Sequence, residues 1–126
     1  MTPCYTLKIA TDFAAAHALR NYPGECSRLH GHNWKVEVEV KAFTLDAVGM
    51  GIDFKVIKEA AKSLAHDLDH RNLNDLDPFT KTNPTAENIA AYFFRGLSST
   101  LNNDRVNVSA ITIWETERAC VRYTED

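Results

Sequence analysis

The sequence has few of the features that mark secreted, membrane-spanning or nucleic-acid-binding proteins. Its 126 residues contain three cysteines and no Cys-x-x-Cys pair, which argues against a disulfide scaffold and for a reducing compartment. No run of about 18 apolar residues is present, so we expect no membrane-spanning helix. The formal net charge of −3 gives no electrostatic footprint for nucleic acid.

The amino terminus also lacks a basic stretch followed by an apolar one, so no secretory signal is expected. An apolar fraction of 44% and a charged fraction of 25% are ordinary for a soluble globular protein. The length fits a single domain over residues 1–126, with no internal repeat or low-complexity segment. We therefore predict one cytoplasmic globular domain.

Hydrophobic periodicity predicts four strands and two helices. The clearest strand is 35–41, where valines alternate with charged residues, and extending its register backwards places His30 and His32 on the valine face. The other strands are predicted at 5–19, 106–115 and 119–123, and the helices at 54–68 and from about Thr85 to Leu101.

The resulting order, β-β-α-α-β-β, predicts an α+β domain whose four-stranded antiparallel sheet carries two helices on one face. Such a sheet has two open edges and one uncovered face. We therefore expect the chain to associate with further copies of itself.

Three of the five histidines are placed to share a metal ion. His30 and His32 are separated by one residue on an extended segment, so their side chains lie on one side of the backbone. His17, on the preceding strand, is the natural third ligand if the two strands pair near this end. Neutral imidazole is a common zinc ligand, although such pairs also occur in cores and on surfaces.

Other candidate site residues each have a structural alternative. Cys26, in a polar loop, would act as a thiolate near a dication, or could be a small buried residue. Asp69 adjoins His70 at a helix end, where a carboxylate favours the charged imidazole, but a histidine there also complements the helix dipole. The Glu115 carboxylate suits the paired N–H groups of a heterocycle, although a solvated strand end is the simpler interpretation of this residue alone.

For the remaining candidates the structural interpretation leads. Thr85 and Glu87 lie at the start of the second predicted helix, where capping explains both. Cys4 and Cys120 fall within strand patterns and are predicted to pack. His66 is expected on a helix surface.

A cupin is the first family to consider, because the segment from Gly24 to Glu37 matches most of the first cupin motif, whose two histidines and glutamate bind a metal in a β-barrel. The glycine expected seven residues later is Thr44, and no second motif follows. Glu37 also has the opposite parity to His30 and His32 in an unbroken strand, so it points away from them. These points and the helical segments disfavour a cupin.

Five other motifs occur in order along nearly the whole chain: Phe13-Ala-Ala-Ala-His17, Cys26-x3-His30-Gly-His32-Asn33, Asp69-His70-x2-Leu73-Asn74, Pro84-Thr85-x-Glu87-Asn88 and Trp114-Glu115-Thr116. Together with the order of the elements, they resemble the family of 6-pyruvoyltetrahydropterin and 6-carboxytetrahydropterin synthases.

The resemblance implies the tunnelling fold, in which three chains close a twelve-stranded barrel and two trimers stack into a homohexamer. It also implies three kinds of site residue: Zn²⁺ ligands (His17, His30 and His32), proton-transfer groups (Cys26, Asp69 and His70) and substrate-binding residues (Glu115, which anchors the pyrimidine edge of the pterin, with Thr85 and Glu87).

Within the family, a cysteine three residues before His-Gly-His is similar to the bacterial 6-carboxytetrahydropterin synthases of queuosine biosynthesis. This implies conversion of 7,8-dihydroneopterin triphosphate to 6-carboxytetrahydropterin, acetaldehyde and triphosphate. The alternatives are a 6-pyruvoyltetrahydropterin synthase and a non-catalytic zinc- or pterin-binding oligomer. Arg20, Lys35 and Arg71 are candidates for holding the triphosphate.

Overall fold

A computed structural model describes residues 2–126, which form a five-stranded sheet packed against two helices. The elements in chain order are β1 (Tyr5–His17), β2 (His30–Ala42), α1 (Phe54–Leu68), β3 (Arg71–Asn72), α2 (Ala86–Leu101), β4 (Val106–Thr116) and β5 (Ala119–Tyr123). No helix within residues 2–126 is both long enough and apolar enough to cross a membrane.

The sheet has the order β3-β1-β2-β4-β5, which confirms the α+β class but corrects the prediction of four antiparallel strands. The additional strand, β3, pairs in parallel with Ala15 and Ala16 of β1. A strand of only two residues has no alternation of its own, so periodicity could not reveal it. The other pairings are antiparallel, as predicted.

One face of the sheet carries the core. The valines of β2 and the isoleucines of β4 lie there, together with Trp34, and all are fully buried under α1 and α2. Burying a side chain of this size contributes roughly 1.5–3 kcal/mol. Asp53 starts α1 as its N-cap by accepting a 2.8 Å hydrogen bond from the Lys55 N–H. Both helices lie on this one face of the sheet, as predicted.

The opposite face of the sheet is charged. Lys8 lies 2.8 Å from one carboxylate oxygen of Glu37, and the other oxygen accepts a 2.8 Å hydrogen bond from the indole N–H of Trp114. Arg122 donates two hydrogen bonds to Glu39, of 3.0 and 3.1 Å. Glu37 thus points away from the histidine face, and the metal ligand set of a cupin cannot form here.

The exposure of two cysteines shows that another prediction was wrong. Cys4 and Cys120 were expected to pack, but both are exposed. Cys4 precedes β1, and Cys120 lies on β5, an edge strand with a neighbour on one side only. Alternation identified a strand around Cys120 but could not distinguish an edge strand from a central one.

Candidate metal centre and active site

Three histidines and a glutamate meet at one end of the sheet. Antiparallel pairing sets His17 opposite His30, and His32 lies on the same face two residues further along β2. Glu115 reaches the group from β4. One potential ligand atom from each residue lies within 4.8 Å of the other three, so the group could hold a metal ion.

Backbone carbonyls fix the orientation of two of the imidazoles. His17 Nδ1 lies 2.7 Å from the carbonyl oxygen of Pro84, and His30 Nδ1 lies 2.7 Å from that of Arg28. Because a carbonyl oxygen can only accept, each Nδ1 carries the proton and each Nε2 is left with a free lone pair. Metal-binding histidines commonly have this arrangement.

Two of the ring nitrogens lack the hydrogen-bond partner that a buried polar atom normally has. Nε2 of His17 and Nε2 of His32 are buried, and neither has a hydrogen-bond partner. The Glu115 carboxylate lies 3.2 Å from His32 Nε2 but is not aligned as a hydrogen-bond acceptor. A buried polar atom left without a partner costs about 1–3 kcal/mol, and a bound cation would remove that cost. Imidazole nitrogens and a carboxylate are ligands that zinc takes, so the residues fit such an ion.

The electrostatics of the group favour metal-binding protonation states. Burial is the largest influence on the pKa of His17 and lowers it, against the opposing effect of the Pro84 hydrogen bond. Burial likewise lowers the pKa of His32, while the Glu115 carboxylate acts in the opposite direction. Both imidazoles are therefore neutral at physiological pH, as metal ligation requires.

Cys26 lies outside this four-residue group. It occupies the 3₁₀ turn Glu25–Ser27, which Gly24 begins with a φ of 102°, a backbone conformation that suits glycine. The Leu19 N–H donates a 2.9 Å hydrogen bond to the Cys26 carbonyl, which holds the turn beside the end of β1. The thiol is exposed, as its polar neighbours predict.

Asp69 and His70 form a hydrogen-bonded pair just after α1. The Ala14 N–H donates a 2.8 Å bond to Asp69 Oδ1, and His70 Nδ1 lies 2.9 Å from Oδ2. The Ala14 bond is the largest cause lowering the pKa of Asp69, followed by the bond from His70. His70 has a φ of 57°, and its side chain is 82% exposed.

A groove runs beside His70 and reaches one member of the histidine cluster, His32. Its volume is about 530 Å³, and residues 14–16, 31–33 and 70–72 line it. His32 and His70, 38 positions apart in the sequence, both line this groove. Arg71 lines the same groove. One predicted metal ligand and the predicted proton-transfer histidine thus line the same groove.

Thr85 and Glu87 have the structural role that their sequence context favoured. The Thr85 hydroxyl accepts a 3.1 Å hydrogen bond from the Asn88 N–H and caps α2. Glu87 is exposed in the first turn, where a negative charge suits the helix dipole. Their substrate-binding role remains a prediction.

Sequence reasoning missed the groups that support the site. Arg20, a candidate for triphosphate binding, donates instead to the backbone carbonyls of three loop residues, Asn74, Phe79 and Thr82. Asn74 exchanges two hydrogen bonds with the backbone of Ala18. The only signal for these contacts was the presence of loop asparagines, which commonly bond to backbone.

Comparisons with known proteins show the family to which this chain is related. The family model described as 6-pyruvoyl tetrahydropterin synthase matches residues 6–126. A 6-carboxy-5,6,7,8-tetrahydropterin synthase from Synechocystis sp. is 34% identical over 88% of this chain and 86% of its own. A dihydroneopterin monophosphate aldolase from Pyrococcus furiosus is 35% identical over 82% of each chain.

The fold has a close counterpart among solved structures. The structure of Caenorhabditis elegans 6-pyruvoyl tetrahydropterin synthase matches with a TM-score of 0.87 and 29% identity, covering 99% of this chain and 98% of the other. The resemblance inferred from the five motifs is therefore confirmed. This chain belongs to the 6-pyruvoyl tetrahydropterin synthase family, whose members are pterin-processing lyases.

Proposed function

We propose that this protein is a zinc-dependent 6-carboxytetrahydropterin synthase of queuosine biosynthesis. It would convert 7,8-dihydroneopterin triphosphate and one water to 6-carboxytetrahydropterin, acetaldehyde and triphosphate. The observation that carries the proposal is the group of three histidines and Glu115 at one end of the sheet, one of which, His32, lines a groove with His70. The three-residue spacing between Cys26 and His30 supports the carboxy product over the pyruvoyl product.

His17, His30 and His32 would hold Zn²⁺ through their Nε2 atoms, since carbonyls occupy Nδ1 in the first two. A zinc ion bound there supplies Lewis acidity toward the side-chain hydroxyls of the substrate. The protein's part is to fix the three imidazoles in place, and the paired strands do so.

Cys26 and the Asp69–His70 pair would move the protons. Cys26, as a thiolate, would take a proton from the substrate side chain. Asp69 accepts from His70 Nδ1, which leaves Nε2 of His70 free to accept or return a proton. The anchoring of Asp69 by the Ala14 N–H keeps this carboxylate charged and in place.

The remaining contacts would position the substrate. Glu115 would hold the pyrimidine edge of the pterin, with Thr85 and Glu87 supporting it from a neighbouring subunit. Arg20 is engaged with backbone carbonyls, and Lys35 lies 3.5 Å from the Glu37 carboxylate. That leaves Arg71, which is exposed and lines the groove, as the candidate for holding the triphosphate.

The proposal includes a cytoplasmic homohexamer of two trimers. The charged face of the sheet is uncovered, and β3 and β5 lie at its edges. His70 is largely exposed on this chain, so a neighbouring subunit would have to enclose it for efficient proton transfer. These features support association but leave the number of copies to be measured, for example by light scattering.

The decisive experiment is to incubate the zinc-loaded protein with 7,8-dihydroneopterin triphosphate and identify the products by mass. Acetaldehyde with a carboxypterin supports the proposal, and a pyruvoyl product supports the alternative synthase. Unchanged substrate supports the non-catalytic oligomer. Because one relative is a monophosphate aldolase, the monophosphate is tested in parallel. Turnover of the monophosphate alone would overturn the proposal.

A further inference from the structure

Glu115 lies closer to the metal ligands than a purely pterin-binding residue needs to be. Its Oε1 is 3.2 Å from Nε2 of His32, yet the two atoms are not aligned as a hydrogen bond. Two ligands at 2.0–2.1 Å from a tetrahedral zinc ion lie about 3.3 Å apart. The contact therefore matches the spacing of two atoms that bind the same ion.

Alternation along β4 turns this carboxylate toward the cluster, because Glu115 has the same parity as Ile111 and Ile113 on the core face. On β4, Trp114 pairs with Cys120 and Thr116 pairs with Ala119, so Glu115 is the extra residue of a β-bulge. Bulges are common beside functional sites. The residue lies near the end of β4, one position before its last residue.

Glu115 is also more accessible than its neighbour in the cluster. Its side chain is 36% exposed, whereas that of His32 is 17% exposed. The histidines His17 and His30 are further held by carbonyls at Nδ1, and no side-chain hydrogen bond to Glu115 is found among residues 2–126. Of the four groups, Glu115 is the one that can leave the cluster at the lowest cost.

We propose that Glu115 is a fourth metal ligand when no substrate is bound, and that it leaves the metal to bind the pterin edge when the pterin arrives. The second part rests on the proposed function. One carboxylate cannot fully serve both partners, so pterin binding would open a coordination position. The protein would then expose the open position that a catalytic metal site needs only with the pterin in place.

The first part is tested with Co²⁺, whose visible absorption reports its coordination. Glu115→Gln, which keeps the shape, and Glu115→Ala, which removes the oxygen, are compared with the unaltered protein. Glu117→Gln, in the exposed turn after β4, is the matched control. We expect an altered spectrum in both Glu115 variants and a zinc affinity lowered at least 10–100-fold, roughly the loss that follows removal of an outer-shell partner. Spectra and affinities equal to those of the control would overturn the inference.

The second part is tested by adding pterin, which has no side-chain hydroxyls to offer the metal. In the unaltered Co²⁺ protein, pterin should shift the spectrum toward that of Glu115→Gln, and the variant's own spectrum should stay constant. Binding without a shift, or an equal shift in the variant, overturns the exchange. Failure of pterin to bind overturns the proposed function and the exchange together, while the spectra without pterin still decide whether Glu115 is a ligand.

Discussion

The metal-binding cluster and the proton-transfer groups are built in opposite ways. His17, His30 and His32 project from the two longest, fully paired strands of the sheet, and His17 is 2% exposed. Cys26 and His70 lie on turns, one in a 3₁₀ segment and the other at a positive φ, and both are exposed.

A single chain therefore builds the metal-binding cluster on its paired strands but leaves Cys26 and His70 exposed to solvent. Metal ligands must be placed within a few tenths of an ångström, and adjacent strands of a rigid sheet provide such precision. Proton transfer needs exclusion of water from the reacting groups, which this chain does not give to Cys26 or His70. Metal binding should therefore be independent of the two turns.

The largest expected effect comes from removing a buried ligand. His17→Ala takes away an imidazole held on both sides, by the Pro84 carbonyl and by the cluster, so the metal content of purified protein should fall close to background. Inductively coupled plasma mass spectrometry after reloading with zinc measures it. His66→Ala, on the exposed surface of α1, is the control. An unchanged zinc-to-protein ratio in His17→Ala would show that the cluster is not the metal site.

The next largest effect tests whether metal binding is independent of the turn that carries Cys26. Cys26→Ala should lower the turnover rate by about 10²–10⁴, the usual contribution of a positioned base, and leave the zinc content unchanged because the thiol lies outside the cluster. Cys120→Ala, which also removes an exposed thiol, controls for general effects. Loss of zinc from Cys26→Ala would make the thiol a ligand and remove the contrast between sheet and turn.

The same contrast separates what the sequence could predict from what it could not. The strict alternation of β2 placed His30 and His32 on the core face, and helical spacing gave α1 at 54–68, where the structure has it. Both predictions rest on long segments with one strong period. The position of His17 on the preceding predicted strand also made it a natural partner for them.

Features that depend on tertiary contacts escaped prediction. β3 exists because the chain leaving α1 meets β1, where the Ala14 carbonyl accepts from the His70 N–H. The bulge at Glu115 depends on its pairing with β5, and the approach of its carboxylate to His32 depends on the place of β4 beside β2. Arg20 was a candidate for triphosphate because its guanidinium charge is visible in the sequence, whereas the carbonyls that surround it are not.

The smallest expected effect concerns Asp69, which joins the two regions through Ala14. Its pKa is lowered in the folded protein, first by the Ala14 N–H and then by His70, so the folded state binds a proton less readily than the unfolded chain. The charged carboxylate therefore stabilises the fold above about pH 4, the ordinary range for aspartate, and this stabilisation is lost as the pH falls through the lowered pKa.

Asp69→Asn should accordingly be less stable than the unaltered protein at pH 7, with the difference shrinking below pH 4, as measured by urea unfolding across that range. Asp67→Asn, on the exposed last turn of α1, should show no such convergence. The rate loss in Asp69→Asn should be smaller than in Cys26→Ala, because Asp69 acts through His70. A stability difference that stayed constant with pH would mean that the hydrogen bond to Ala14 contributes without the charge. Asp69 would then orient His70 only by its shape, as an asparagine could.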